Sequence, residues 1–230
     1  MIGIYTVITI TILLSFVTVT LQVQQKHSLR FISKCLASLG FMAAAFLALS
    51  TQNKVETWHF AIVAALLLGL MGDVFLGTKE LIKKEFEDPL MLGGLIFFLL
   101  GHIAYILVFS LTAARFNYWM LALLAVFPIV IYSLIKFKAI EPGKASIPMI
   151  VYSLVIGAMA VAAINYLAES LSLKGWLIFI GAVLFCLSDT LLAFYNFKSF
   201  KNPNNKHILS YIYLPAYYTA QSLFALVLAL

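Results

Sequence analysis

The sequence predicts an all-α, polytopic membrane bundle of eight transmembrane helices with both termini on the non-cytoplasmic side. Three observations predict it. Of 230 residues, 63% are apolar and 10% charged, against about 25% charged in soluble proteins. Mean hydropathy is +1.04, which leaves too little polar surface to cover a water-soluble globule. The apolar residues also fall into eight stretches near the length of about 20 residues that a hydrocarbon core requires. These stretches and their loops use the whole chain, so residues 1–230 are read as a single transmembrane domain.

The first span, 2–21, follows neither a basic segment nor a small-residue cleavage site, and reads as a retained helix rather than a signal peptide. The second, 31–50, carries Gly40 and Ala44, and the third, 58–77, carries Gly69 and Gly72; such small residues let helices approach closely. The fourth, 91–113, is parted from the fifth, 116–135, by residues 114–115 alone. Pro128 and Pro148 fall within the fifth and sixth spans, the sixth being 146–168. The seventh, 173–196, follows the short connection 169–172. The eighth, 208–229, contains Pro215, which removes a backbone donor and is expected to kink it.

Alternate loops lie on opposite faces. Loops 22–30, 78–90, 136–145 and 197–207, with the start of the second span, hold Lys26, Arg30, Lys34, Lys79, Lys83, Lys84, Lys136, Lys138, Lys144, Lys198, Lys201 and Lys206. The other face holds only Lys54, Arg115 and Lys174. Basic loops stay cytoplasmic, so the long loops face the cytoplasm and the termini face out. The net charge of +6 is this topology signal. No basic helix or aromatic-interleaved stripe is present, which excludes a nucleic-acid partner. Cys35 and Cys186 lie inside apolar stretches and read as packing residues, with no disulfide framework and no metal spacing.

Ionisable groups inside a membrane helix cost at least about 2.5–3.5 kcal/mol on insertion scales, so they face the bundle interior and usually carry function. Lys34, Asp73, His102 and Asp189 are such groups, and Asn165, Gln221 and several tyrosines, Tyr152 among them, join them. At about 1.5 Å per residue, Asp73 lies about 9 Å and Asp189 about 13 Å inside the cytoplasmic boundary. Tyr105 shares a face with His102, and Tyr213, Tyr217 and Gln221 form an i, i+4, i+8 row. Together they suit one cavity opening toward the cytoplasmic leaflet. Plainer readings stand beside this one. Lys34 can snorkel to lipid phosphates, Asp73 can be solvated at a helix end, His102 can be a hydrogen-bonded packing residue, and the tyrosine row can be a packing stripe.

Two buried carboxyl groups suit acid–base chemistry when they are close: one keeps a proton to donate while the other stays ionised. A catalytic zinc needs about three protein ligands, whereas the spans hold His102 and leave His27, His59 and His207 in loops or at span edges. Neither a metal nor another cofactor is expected. No G-x-S-x-G elbow and no phosphate-cradling glycine loop occurs. Ser188 adjoins Asp189, but adjacent helical residues do not face each other.

Gly72-Asp73 with Leu76, Gly101-His102 with Tyr105, Ser188-Asp189 with Leu192-Ala193, and Tyr217-Tyr218 with Ala220-Gln221 resemble, in this order and placement, the YhhN-type lysoplasmalogenase family of integral membrane proteins. Lys34 early in the second span fits too, although Cys35 follows it where the family pattern has a proline. The resemblance covers nearly the whole chain. It implies an enzyme of the bacterial cell membrane that hydrolyses the vinyl ether bond of lysoplasmalogens to a fatty aldehyde and a glycerophospho-head-group. Under that reading Asp189 is the proton donor, because it is the deeper acid. Asp73 stays ionised, stabilises the cation and activates water, and His102 and Tyr105 orient these groups. Lys34 holds the lipid phosphate, while Tyr152, Ser188, Tyr213, Tyr217 and Gln221 shape the substrate cavity. The partners are the lysophospholipid and the surrounding membrane lipids. The competing classes are a proton-coupled transporter using the same acids, a metal-dependent lipid hydrolase, and a non-catalytic lipid-binding protein. Flux in sealed vesicles, loss of activity with chelator, and tolerance of Asn at both aspartates respectively mark them.

Overall fold

The computed structural model describes residues 1–79, 81–82, 86–113, 115, 117–200 and 202–230, except the side chains of Glu87, Asp88, Trp119 and Pro203. Lys83, Lys84 and Lys201, counted above among the cytoplasmic basic residues, lie outside the described residues. The described chain is all-helical: α1 (Ile2–Val23), α2 (His27–Leu49), α3 (Thr57–Thr78), α4 (Glu87–Thr112), α5 (Val126–Lys136), α6 (Ser146–Glu169), α7 (Leu173–Phe197) and α8 (Pro203–Val227).

Local chemistry starts several of these helices. The Glu56 side chain accepts from the third backbone amide of α3, while its own N–H donates to His59 Nδ1 at 3.0 Å, a reciprocal cap. Ser172 accepts from the Gly175 amide at the start of α7. Asn202 accepts from the Asn204 amide at the start of α8, where Pro203 occupies the first turn.

Six helices, α1, α2, α3, α4, α6 and α7, are long and apolar enough to cross a membrane, and the shorter segment Met120–Lys136 is apolar. The chain is an integral membrane protein by this measure. Two expected spans take a different form. The fifth is a 3-10 helix, Tyr118–Ala125, followed by the 11-residue α5. Pro128 cannot donate to the Leu124 carbonyl, so the α-helical ladder is interrupted there. The eighth is a continuous helix through Pro215, but its tyrosines, asparagines and Gln221 keep its hydropathy low. It is instead one of the most buried helices: Tyr213, Tyr217, Tyr218 and Gln221 are at most 4% exposed. It packs against α1, α2, α3 and α7. Large apolar side chains such as Phe46, Phe60, Leu111 and Leu171 cover the outside, the reverse of a soluble fold.

Helices α2, α4 and α8 begin earlier than the expected starts at 31, 91 and 208. Hydropathy detects the hydrocarbon-buried part of a helix, whereas its polar first turns continue into the interface. One consequence reaches the site. Lys34 lies two turns inside α2 rather than at its opening, and it is 6% exposed.

Candidate active site

The acids sit on different helices, Asp73 near the end of α3 and Asp189 eight residues before the end of α7. Both line one cavity of about 540 Å³ at the end of the bundle that carries the long basic loops. Lys34, Tyr152, Ser188, Tyr213 and Tyr217 also line it, together with apolar residues of α4 and α6.

Asp73 is enclosed. Its Oδ1 lies 3.0 Å from Lys34 Nζ. Its Oδ2 accepts from Ser38 Oγ at 2.7 Å and from Tyr217 Oη at 2.8 Å. The whole arrangement points donors at this carboxylate: Tyr105 Oη donates to Gln221 Oε1 at 2.7 Å, and Gln221 Nε2 donates to Tyr217 Oη at 3.2 Å. Tyr218 Oη donates to the Lys34 carbonyl at 3.0 Å and fastens the lysine's own turn. A cation and two hydroxyl donors suit the ionised form, which is acceptor-only. Sequence reasoning missed Ser38. Its signal was the spacing Arg30, Lys34, Ser38, which stacks three polar side chains on one face of α2.

Asp189 has different company. Its Oδ2 accepts from Tyr152 Oη at 2.9 Å, and His102 Nε2 stands 3.7 Å away, too far for a direct hydrogen bond. No lysine or arginine pairs with it among the described residues. Its side chain is 12% exposed, against 2% for Asp73. Asp189 faces the cavity, whereas Lys34 and its neighbours wrap Asp73.

His102 adds a proton constraint. Its Nδ1 lies 2.6 Å from the Phe98 carbonyl, one turn back on α4. A carbonyl only accepts, so Nδ1 carries hydrogen; this tautomer follows from the partner. In a neutral ring Nε2 is then a bare lone pair, and it is buried without a hydrogen-bond partner. It faces the Asp189 oxygen, so two acceptors confront each other unless one proton is shared between the two residues. Phe185 packs edge-on against the imidazole at 4.5 Å between centroids, and Tyr152 at 5.6 Å.

The remaining expected site residues divide in two. Tyr105 and Gln221 lie behind Tyr217, outside the cavity lining, and act on the site through the hydroxyl chain to Asp73. Ser188 is 2% exposed at the cavity wall. Asn165, noted as an intramembrane polar group, is structural: its Oδ1 accepts from the Asn117 amide at 2.9 Å and its Nδ2 donates to the Arg115 carbonyl at 2.7 Å, tying down the loop after α4. Cys35 and Cys186 are free thiols. No cluster of three metal-ligating side chains occurs among the described residues.

A helical membrane protein with two electrostatically distinct acids on one apolar cavity is the class that this fold and site define. The chain belongs to the YhhN family, whose sequence profile matches residues 29–228. That span contains every residue of the site, while α1 precedes it and packs on α2 and α8. No curated protein and no solved structure matches the chain.

Proposed function

We propose that this chain is a membrane hydrolase that cleaves the vinyl ether bond of lysoplasmalogens to a fatty aldehyde and a glycerophospho-head-group. One observation carries the reading: of two carboxyl groups on one cavity, Asp73 is paired with Lys34, while Asp189 accepts from Tyr152, faces His102 Nε2 at 3.7 Å and pairs with no lysine or arginine among the described residues. Membership of the YhhN family and the apolar lining of the cavity support a lipid substrate. The bundle, residues 1–230 as one domain, crosses the bacterial cell membrane eight times, with both termini outside and the cavity toward the cytoplasm. The basic loops support this orientation.

In this mechanism protonated Asp189 delivers its proton to the alkene carbon distal to the ether oxygen. The electron pair of the double bond forms the new C–H bond, and the adjacent carbon becomes an oxocarbenium ion. Asp73 contributes fixed negative charge across the cavity, positioned by Ser38 and Tyr217. Water adds to the oxocarbenium carbon and returns a proton to the Asp189–His102 pair. The hemiacetal then collapses: its hydroxyl proton passes to the ether oxygen, the C–O bond to glycerol breaks, and the aldehyde leaves. Asp73 already accepts from three donors, so the proton of the incoming water goes to Asp189 rather than to Asp73. Tyr152 holds the donor carboxyl in place.

The test is purified protein in vesicles given lysoplasmenylethanolamine or its ester analogue, with aldehyde detection. Aldehyde from the vinyl ether alone, abolished in Asp189→Asn, is the expected result. Aldehyde release that survives this substitution overturns the assignment.

A further inference from the structure

Helix α4 reaches both acids, one of them indirectly. His102 faces Asp189. Tyr105, three residues on, shares that face of the helix, yet it bonds neither acid and lies outside the cavity lining. The residue is buried, and its hydroxyl donates to Gln221 Oε1 at 2.7 Å, with no other acceptor among the described residues. The ring is held independently of that hydroxyl, by Phe224 at 4.4 Å and Phe109 at 5.6 Å between centroids.

The hydroxyl decides which way an amide points. Gln221 has one acceptor end and one donor end. Tyr105 has a hydrogen to place, so it takes Oε1, and Nε2 is thereby turned to Tyr217 Oη at 3.2 Å. The amide lies against Gly69 of α3, in the space that a side chain there would fill. It can turn over in that slot but has no room to swing away. A Tyr217 oxygen that accepts from Nε2 directs its own hydrogen elsewhere, and Asp73 Oδ2 stands 2.8 Å away. With the amide turned over, Oε1 would compete for that hydrogen, as does the Gly69 carbonyl at 3.4 Å. Asp73 would then keep Ser38 and lose its second hydroxyl donor.

We propose that Tyr105 is a positioning residue for the reaction. Its hydroxyl hydrogen sets the Gln221 amide, the amide sets the Tyr217 hydroxyl, and that hydroxyl holds the Asp73 carboxylate in the cavity wall. The relay passes orientation rather than protons, because the amide interrupts the line of hydroxyls. The reaction rests on the hydrolase reading above; the relay rests on the hydrogen bonds that run from Tyr105 to Asp73. The Asp73 charge acts on the cationic transition state and not on the neutral ether of the bound substrate, so cutting the relay lowers kcat and leaves KM in place.

The experiment compares full-length parent, Tyr105→Phe, Tyr217→Phe and the double variant in vesicles with lysoplasmenylethanolamine. Both substitutions keep the ring and remove the hydroxyl. Tyr105→Phe is expected to lower kcat about tenfold, with KM and Tm unchanged, and to lower it by less than about twofold in the Tyr217→Phe background, where the relay is already cut. Equal factors in the two backgrounds, or no loss in the single variant, overturn the positioning role. A second measurement needs no turnover. The chain has three aspartates, Asp73, Asp88 and Asp189. With 13C at their side-chain carboxyls, Asp88→Asn and Asp189→Asn identify two resonances by their loss and leave the third to Asp73. That signal is expected to move in Tyr105→Phe, and to move no further when Tyr105→Phe is added to Tyr217→Phe. A signal that stays in place in Tyr105→Phe overturns the relay. A moving signal with no aldehyde from the parent refutes the hydrolase reading and leaves the relay standing, whereas aldehyde from the parent with an unmoved signal does the reverse.

Discussion

Lys34 Nζ lies 3.0 Å from Asp73 Oδ1, and both side chains are almost fully buried. The pair joins α2 to α3 and fixes a negative carboxylate in the cavity wall without leaving a net charge in the bundle. Taking two ions out of water is expensive, and their attraction repays it only when further donors complete the shell. Ser38 and Tyr217 supply those donors.

Removing one partner strands the other. Lys34→Met is expected to destabilise the protein by about 3–5 kcal/mol, because Asp73 then remains as an uncompensated buried charge. The double variant Lys34→Met with Asp73→Leu is expected to recover most of that loss. Thermal unfolding in detergent measures both, and a single variant as stable as the parent would contradict the pairing.

Asp189→Asn is expected to separate function from folding. Its carboxyl is bonded to Tyr152 and has no salt-bridge cation among the described residues, so the amide costs little stability. Loss of a proton donor lowers turnover by about 10²–10⁴-fold. Tyr152→Phe is expected to show a smaller fall in kcat with an unchanged Tm. If Tm falls with activity in both, Asp189 is a structural residue.

Gly69 faces the Gln221 amide so closely that a methyl group would displace it. Gly69→Ala is expected to cost about 1–3 kcal/mol by overpacking and to lower activity by disturbing the Gln221–Tyr217–Asp73 chain. Gly3, with open space around it, is the matched control, and Gly3→Ala should leave Tm and activity alone.

Asn165→Ala removes an acceptor for Asn117 and a donor to Arg115 in a loop remote from the cavity. Unsatisfied backbone groups cost about 1–3 kcal/mol, so Tm should fall. Activity per folded molecule should stay at the parental level, and a fall there would link this loop to the site.

Glu56 caps α3 outside the membrane. The hydrogen bond from Lys54, with that from Trp58 behind it, holds its carboxyl below its ordinary value of 4.5. A lowered folded-state value stabilises the fold above the unfolded value, and the contribution disappears as pH falls through the folded one. The Tm difference between the parent and Glu56→Gln is therefore expected at pH 7 and should vanish toward pH 3. A difference that persists unchanged at pH 3 contradicts it.

Much of the site was legible because membrane insertion makes charge conspicuous: Asp73, His102 and Asp189 have no cheap place in an apolar helix except the interior. Tyr152, Ser188, Tyr213 and Tyr217 follow from the same logic and do line the cavity. Ser38 escaped, since serine carries no such penalty, and Asn165 misled, since its amide serves a loop. Gln221 was expected to shape the substrate cavity, but it and Tyr105 bond each other behind Tyr217.

Composition and the spacing of apolar stretches by themselves determined a helical membrane bundle with acids inside it, because every twenty-residue apolar run must find hydrocarbon. Which partner each acid keeps was decided by tertiary structure alone. Lys34, Ser38 and Tyr217 come from two helices far apart in the chain to reach Asp73, and Tyr152 and His102 come from two others to reach Asp189. A hydropathy pattern records how deep a side chain sits along its own helix. It does not record which neighbouring helix that side chain meets, and the charge state of a buried carboxyl depends on that neighbour.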